Sequence, residues 1–290
     1  MAQGQVDDAK LKRIVEKIRG LPTLPVILDK MNRIAGDPET SAKKLGEIIS
    51  DDPASASKIL RIVNSSFYGL PHKISTVSHA IVILGFNAVK SIVMSSTIFD
   101  AFAKAGSEAG FDRMEFWKHS IGTGTSARAV ARRMGIAQTE EYFVAGLLHD
   151  IGKVLLDQFL HPVFVKILET AASKKILFVS AEDSILGLNH AQIGEWLFQK
   201  WGLPAPLVAA VRFHHDPKRA GEHVRFAAVI HVADILCRAI RLGSGGDSKI
   251  PLADRDAWRA LQIPYTDLES AFGEIAAEFD RAMVFLDFMK

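Results

Sequence analysis

The chain has 290 residues, enough to bury one large core or two moderate ones. Its 48% hydrophobic and 23% charged residues are those of an ordinary soluble globular protein, and a net charge of +2, with neither half strongly basic, does not by itself imply nucleic-acid binding. The single cysteine, Cys237, rules out an internal disulfide, and the N-terminal MAQGQVDDAK lacks the apolar stretch of a signal peptide, so a cytoplasmic protein is expected.

The periodicity is helical almost throughout, with no convincing alternation of apolar and polar residues, which predicts an all-α fold. Asp52 followed by Pro53 supplies a cap and a first-turn proline for PASASKILRIV. Ser75 or Thr76 caps SHAIVIL, Gly85 closes it, and Asn87 is expected to cap AVKSIVMSSTIFDAF. Residues 80–99 form the one membrane candidate. A central Lys90 alone costs about 2.5–3.5 kcal/mol on insertion scales, so two buried helices are expected there. The same pair has the outline of a helix-turn-helix. Its second helix carries one lysine and is mostly apolar, so DNA binding is not expected.

Asn64–Ser65–Ser66 lies at a helix end, where it either caps and turns the chain or lines an interface. AGSEAGFD, residues 105–112, is a linker, dividing an N-terminal helical block (7–105) from a helical bundle (106–290). GSGGDSKIP, residues 243–251, is a second flexible loop. Beyond it, Thr266 and Glu269 form a capping-box pattern opening a helix with Leu268, Phe272, Ile275, Phe279, Met283 and Leu286 on one stripe. The four tryptophans are expected to pack in cores, and Cys237 to be a buried, inert thiol.

Eight of the ten histidines lie between residues 119 and 231. In chain order the metal-capable positions are Glu115, His119, His149, Asp150, His190, His214, His215 and Asp234. Glu115 and His119 are four apart and share a helix face. His149–Asp150 interrupts the apolar run GLLHDIGKVLL, as a terminal turn feeding a metal pair would. His214–His215 ends a helix after LVAAVRF, and His231 rivals Asp234 for the same site. Neutral imidazoles with carboxylates suit iron, manganese or zinc. A carboxylate such as Asp150 can bridge two ions, and ions about 3.5–4 Å apart bind phosphate oxygens and generate a hydroxide at neutral pH. Lys153, three residues on, shares the face of Asp150 and can meet a phosphate charge. His72, His79, His161 and His223 are expected to be structural or exposed.

In the N-terminal block the stretches LPTLP (21–25), ISDDPASASKILRIVNSSFYG (49–69) and ISTVSHAIVILG (74–85) fall together. They are followed by FWKHS (116–120), AGLLHDIGK (145–153), NHAQIGEWLFQKWGLP (189–204), FHH (213–215) and VADIL (232–236). In these stretches the chain resembles the HDOD family, relatives of the HD metal-dependent phosphohydrolases, over roughly residues 15–240. The resemblance implies an HD-like bundle with an added N-terminal helical subdomain. It also implies a ligand set of His119, His149, Asp150, His190, His214, His215 and Asp234. Glu115 and Lys153 match a further carboxylate and a lysine of the HD-GYP branch, which cleaves cyclic di-GMP. After His215 this sequence runs DPKRAGEHV and departs from that branch, having no Gly-Tyr-Pro motif. The expectation is a signalling module with a divalent-metal centre that binds a protein partner or a nucleotide-like ligand. The alternative is a phosphohydrolase in which Asp150 bridges the ions, a metal hydroxide attacks phosphorus and Lys153 steadies the charge.

Overall fold

The computed structural model describes residues 24–33, 38–103 and 111–289, and among these every regular element is helical. The first group comprises α1 (Val26–Arg33), α2 (Pro38–Ser50), α3 (Pro53–Val63), α4 (Val77–Leu84) and α5 (Phe86–Ala103). The second runs α6 (Arg113–Arg133), α7 (Glu140–Leu148), α8 (Ile151–Phe159), α9 (His161–Lys174), α10 (Phe178–Leu186), α11 (His190–Lys200), α12 (Ala205–Phe213) and α13 (Val224–Ala239). It ends with α14 (Arg255–Leu261), α15 (Tyr265–Glu269), α16 (Ala271–Ala282) and a 3-10 turn, Met283–Met289. The expected boundary near residue 105 and the first three residues of LPTLP lie outside the described residues.

The local signals explain most helix ends. Asp52 accepts the amide of Ala54 at 3.1 Å, Thr76 accepts that of His79 at 3.1 Å, and Gly85 closes α4 with φ +88°. Asn87 is not a cap. The chain re-enters the helix at Phe86, because the amide of Val89 already reaches the Gly85 carbonyl, and the Asn87 side chain turns to Gln138 instead. Thr266 does not open the last long helix either. It lies inside α15, and the chain breaks at Ser270 before α16 begins. Asn64 settles its open choice: its side chain grips the backbone of Ile74 from both sides, donating to the carbonyl at 2.8 Å and accepting from the amide at 2.7 Å.

One hydrophobic cluster runs through both groups of helices. It includes α5, where Val89, Ile92, Val93, Ile98, Phe99 and Phe102 are buried, which removes this helix from any DNA groove. Phe99 packs on Trp117 with ring centroids 4.4 Å apart, and Phe67 lies against Phe143 at 5.0 Å. No helix of the described residues is long and apolar enough to cross a membrane.

Two glycine contacts bring the histidine-bearing segments together. A Cβ at Gly146 of α7 would stand 2.7 Å from the Gly124 Cα and the Thr123 carbonyl oxygen of α6. A Cβ at Gly152 of α8 would stand 2.0 Å from the carbonyl oxygen of His190 at the start of α11. Backbone therefore meets backbone at both crossings, an approach that glycine alone permits.

Candidate metal centre

Five elements converge on one buried spot. His119 comes from the middle of α6, His149 and Asp150 from the turn between α7 and α8, and His190 from the first residue of α11. His214 and His215 follow the last turn of α12, and Asp234 lies on α13. Their donor atoms form two groups, Asp150 with His190, His214 and His215, and His119 with His149 and Asp234. Within each group the atoms lie within 4.8 Å of one another.

Asp150 stands between the groups. Its Oδ1 is 3.0 Å from His190 Nε2 and 3.7 Å from His214 Nε2, while its Oδ2 is 3.3 Å from His149 Nε2 and 3.7 Å from His119 Nε2. Asp234 closes the second group, with Oδ1 3.1 Å from His119 Nε2.

The imidazoles are aimed from behind. His149 Nδ1 and His214 Nδ1 donate to the carbonyls of Gly146 and Val211, each at 2.7 Å. A carbonyl can only accept, so the proton sits on Nδ1 and the Nε2 lone pair points inward. His190 Nδ1 meets Glu182 Oε2 at 2.5 Å, and the other Glu182 oxygen accepts the His190 amide at 3.0 Å. Behind His119 Nδ1 lies the buried Cys237 sulfur, at 3.4 Å.

The electrostatics favour a cation. Burial holds the imidazoles of His119, His214 and His215 below their ordinary pKa, toward the neutral form a metal ligand needs, whereas at His190 the Glu182 carboxylate prevails over burial and holds the ring above it. Burial opposes ionisation of Asp150 and Asp234, yet both lie well below the usual carboxylate range. Among the causes are the buried cations beside them, Lys153 at the first and Arg238 at the second. The Nε2 atoms of His119 and His149 and Oδ1 of Asp150 are buried without a hydrogen-bond partner. The Nε2 atom of His190 lies 3.0 Å from that of His215 and 3.3 Å from that of His214. Three imidazole lone pairs this close repel unless a proton or a metal ion lies among them. These orphaned and crowded donors fit divalent transition metal.

Several expectations need correction. Glu115 does not join the cluster: its half-exposed carboxylate takes the Lys118 ammonium at 2.6 Å, and only its backbone carbonyl serves the site, by accepting the Ser244 amide. Glu115→Ala protein will therefore keep the wild-type metal content by elemental analysis; a loss of metal would return Glu115 to the ligand set. His231 does not compete with Asp234. Its Nδ1 donates to the His214 carbonyl at 2.7 Å and its Nε2 accepts the Asp254 amide at 3.0 Å. Lys153 is fully buried rather than reaching outward, donating to Asp150 Oδ2 at 2.7 Å and the Gly245 carbonyl at 2.8 Å over the Phe178 ring. His72, His79, His161 and His223 stand apart from both groups.

The loop after α13 is no linker but the roof of the centre. A Cβ at Gly243 would lie 2.3 Å from the Glu115 carbonyl oxygen and the His119 amide, and one at Gly245 would lie 3.2 Å from His119 Nε2. Arg238 ties the roof to the ligands: Nε donates to Asp234 Oδ1 at 2.9 Å and Nη1 reaches Asp247 at 3.2 Å. Sequence reasoning passed over Arg238, Asp247 and Glu182. Arg238 stood four residues after Asp234 on one helix, a legible pair. Glu182 gave no local sign of its burial. Glu182→Gln keeps an acceptor for His190 but removes the charge, and should weaken metal binding about 10–100-fold in competition with a chromophoric chelator. An unchanged affinity would show that Glu182 does not tune the centre.

A family model described as the HDOD domain matches residues 21–217. The structure superimposes on an HDOD domain protein of unknown function from Geobacter sulfurreducens with a TM-score of 0.80. That match is 23% identical and covers 94% of this chain and 97% of the other. Among curated proteins, an uncharacterized protein of Treponema pallidum (strain Nichols) is 26% identical over 213 residues, 73% of this chain and 41% of its own. Ribonuclease Y of Thermus thermophilus is 28% identical over 168 residues, 58% of this chain and 24% of its own. The match thus spans less than half the length of each of these curated relatives.

Proposed function

This chain belongs to the HDOD family, and from that premise we propose that it is a cytoplasmic signalling module built on a divalent-metal centre and working by binding a ligand or a partner protein. The observation that carries the metal is Asp150, which presents one oxygen to each donor group, while its Oδ1 and the Nε2 atoms of His119 and His149 are buried without hydrogen bonds. His190, His214 and His215 would hold one ion and His119, His149 and Asp234 another, with Asp150 shared. Iron, manganese and zinc all suit this donor set. Bound there, such ions would polarise a phosphoryl oxygen and lower the pKa of a bound water.

The surroundings support binding rather than turnover. Lys153 has its donors on Asp150 and the loop carbonyl, so it positions the shared carboxylate and does not reach toward a substrate. Gly243 and Gly245 of the loop lie against His119. A second reading, metal-dependent phosphohydrolysis, is favoured by the same donor set and by the relative named Ribonuclease Y. To separate them, metal-reconstituted protein is incubated with bis(p-nitrophenyl) phosphate beside an Asp150→Asn/Lys153→Met variant. The signalling reading predicts release of p-nitrophenol no faster than in the variant. Multiple turnovers that vanish in the variant would replace it with the hydrolase.

A further inference from the structure

On the outer side of the roofing loop lies a cavity of about 710 Å³, within the size range of small-molecule sites. Its lining includes the apolar residues Phe111, Leu168, Ala171 and Ile176, the loop Gly243–Gly246, and Arg238. Lys175, Arg241 and Lys249 are also among its lining residues.

The backbone at two of these cations is unusual. Lys175 has φ +53° and Arg241 has φ +58°, the left-handed region that glycine enters freely and other residues avoid. Each stands just past a helix end, closed by the same pair of hydrogen bonds. Ile176 and Lys175 donate to Ala171 and Ala172, and Leu242 and Arg241 donate to Cys237 and Arg238. At the equivalent ends of α6 and α11 the chain uses Gly135 and Gly202, with φ +75° and +63°, and past α14, away from the cavity, it uses Gln262 with φ +57°. Long cations thus replace glycine at two strained positions, and both line the same cavity. Neither forms an ion pair among the described residues. The cavity's two carboxylates are committed elsewhere: Asp112 caps α6 through the Glu115 amide, and Asp247 accepts from Arg238, Phe178 and Lys249.

We propose that this cavity binds a phosphorylated small molecule with an aromatic or apolar body, of the nucleotide class, its phosphates on Lys175 and Arg241 and its body against Phe111 and Ile176. Arg238 makes the site readable, since it lines the cavity and also holds the metal-side Asp234 and the roof's Asp247. Ligand and metal then influence each other's affinity by the same factor. The signalling meaning rests on the function proposed above; the binding itself does not.

The test is calorimetric titration of the chelator-stripped full chain with ADP, with pyrophosphate and adenosine as its two halves. The variant is Lys175→Gly/Arg241→Gly, which relieves the left-handed backbone and so should melt no lower than wild type. ADP should bind wild type, bind the variant about tenfold to several hundredfold more weakly, and bind more tightly than either half. Equal affinities in wild type and variant would leave the cations as simple partners for helix carbonyl ends and overturn the proposal. Absence of ADP and pyrophosphate binding at millimolar concentration would overturn it as well. ADP binding that needs restored metal and ignores both glycine substitutions would place the anion at the metal centre, overturning this site while sparing the metal assignment.

Discussion

Asp150→Ala protein should lose most of its transition metal and, compared metal-free against metal-free, unfold with a stability lower by about 3–5 kcal/mol. The second effect follows from Lys153. Its ammonium is fully buried, 2.7 Å from Asp150 Oδ2, and removing the carboxylate strands that charge among the Gly245 carbonyl and the Phe178 ring. Comparing metal-free forms removes the contribution that bound ions themselves make to stability. The double variant Asp150→Asn/Lys153→Met should recover most of the stability, because no unpaired charge remains, while still failing to hold metal. Denaturant unfolding checks the first quantity and elemental analysis the second. If Asp150→Ala unfolds like wild type, Lys153 is not held by this pair. If the double variant binds metal normally, Asp150 is not a ligand.

Gly152→Ala should be nearly as severe, for a steric reason. The added methyl would stand 2.0 Å from the His190 carbonyl oxygen and 2.8 Å from its carbonyl carbon, both backbone atoms at the start of α11. A flexible side chain could swing away, but a helix terminus must move as a body. The expected cost is about 3 kcal/mol, or roughly 6–12 °C in melting temperature. Displacing α11 also withdraws His190 from Asp150, so metal binding should weaken in parallel. Gly273→Ala is the matched control. Its Cβ meets nothing in an exposed part of α16, so relief of glycine's helix penalty should leave stability unchanged or up to about 1 kcal/mol higher. Equal melting of Gly152→Ala and wild type would show that α8 and α11 are less tightly apposed than described.

Much of this architecture is legible in the residues themselves. Helical periodicity carries the all-α class, and short-range chemistry places Asp52, Thr76 and Gly85 at helix ends, where each acts within a few residues of itself. Asn87 and Thr266 show where local chemistry misleads. Each is a competent cap, but the neighbouring backbone continues or breaks the helix elsewhere. The resemblance names seven residues, His119, His149, Asp150, His190, His214, His215 and Asp234, that the fold brings into two adjoining donor groups. Glu115 shares its face with His119 in sequence, yet one helical turn carries its carboxylate to Lys118 and solvent. Lys153 reads in the sequence as a group for a phosphate charge, and in the folded chain it is buried with its ammonium on Asp150. The glycine-rich loop shows the general difficulty, because flexibility and close approach demand the same residue. Only the tertiary position of α13 shows that Gly243 and Gly245 are there to let backbone lie against His119.

The most direct measurement is the metal content of the wild-type chain by elemental mass spectrometry, after purification without chelator or nickel resin. It is run beside the Asp150→Asn/Lys153→Met variant. A centre shared by Asp150 predicts iron, manganese or zinc at one or more equivalents per chain in the wild type, and its loss in a variant that still melts near the wild-type temperature. Wild-type protein free of metal, and unshifted in melting temperature by added iron, manganese or zinc, would contradict it.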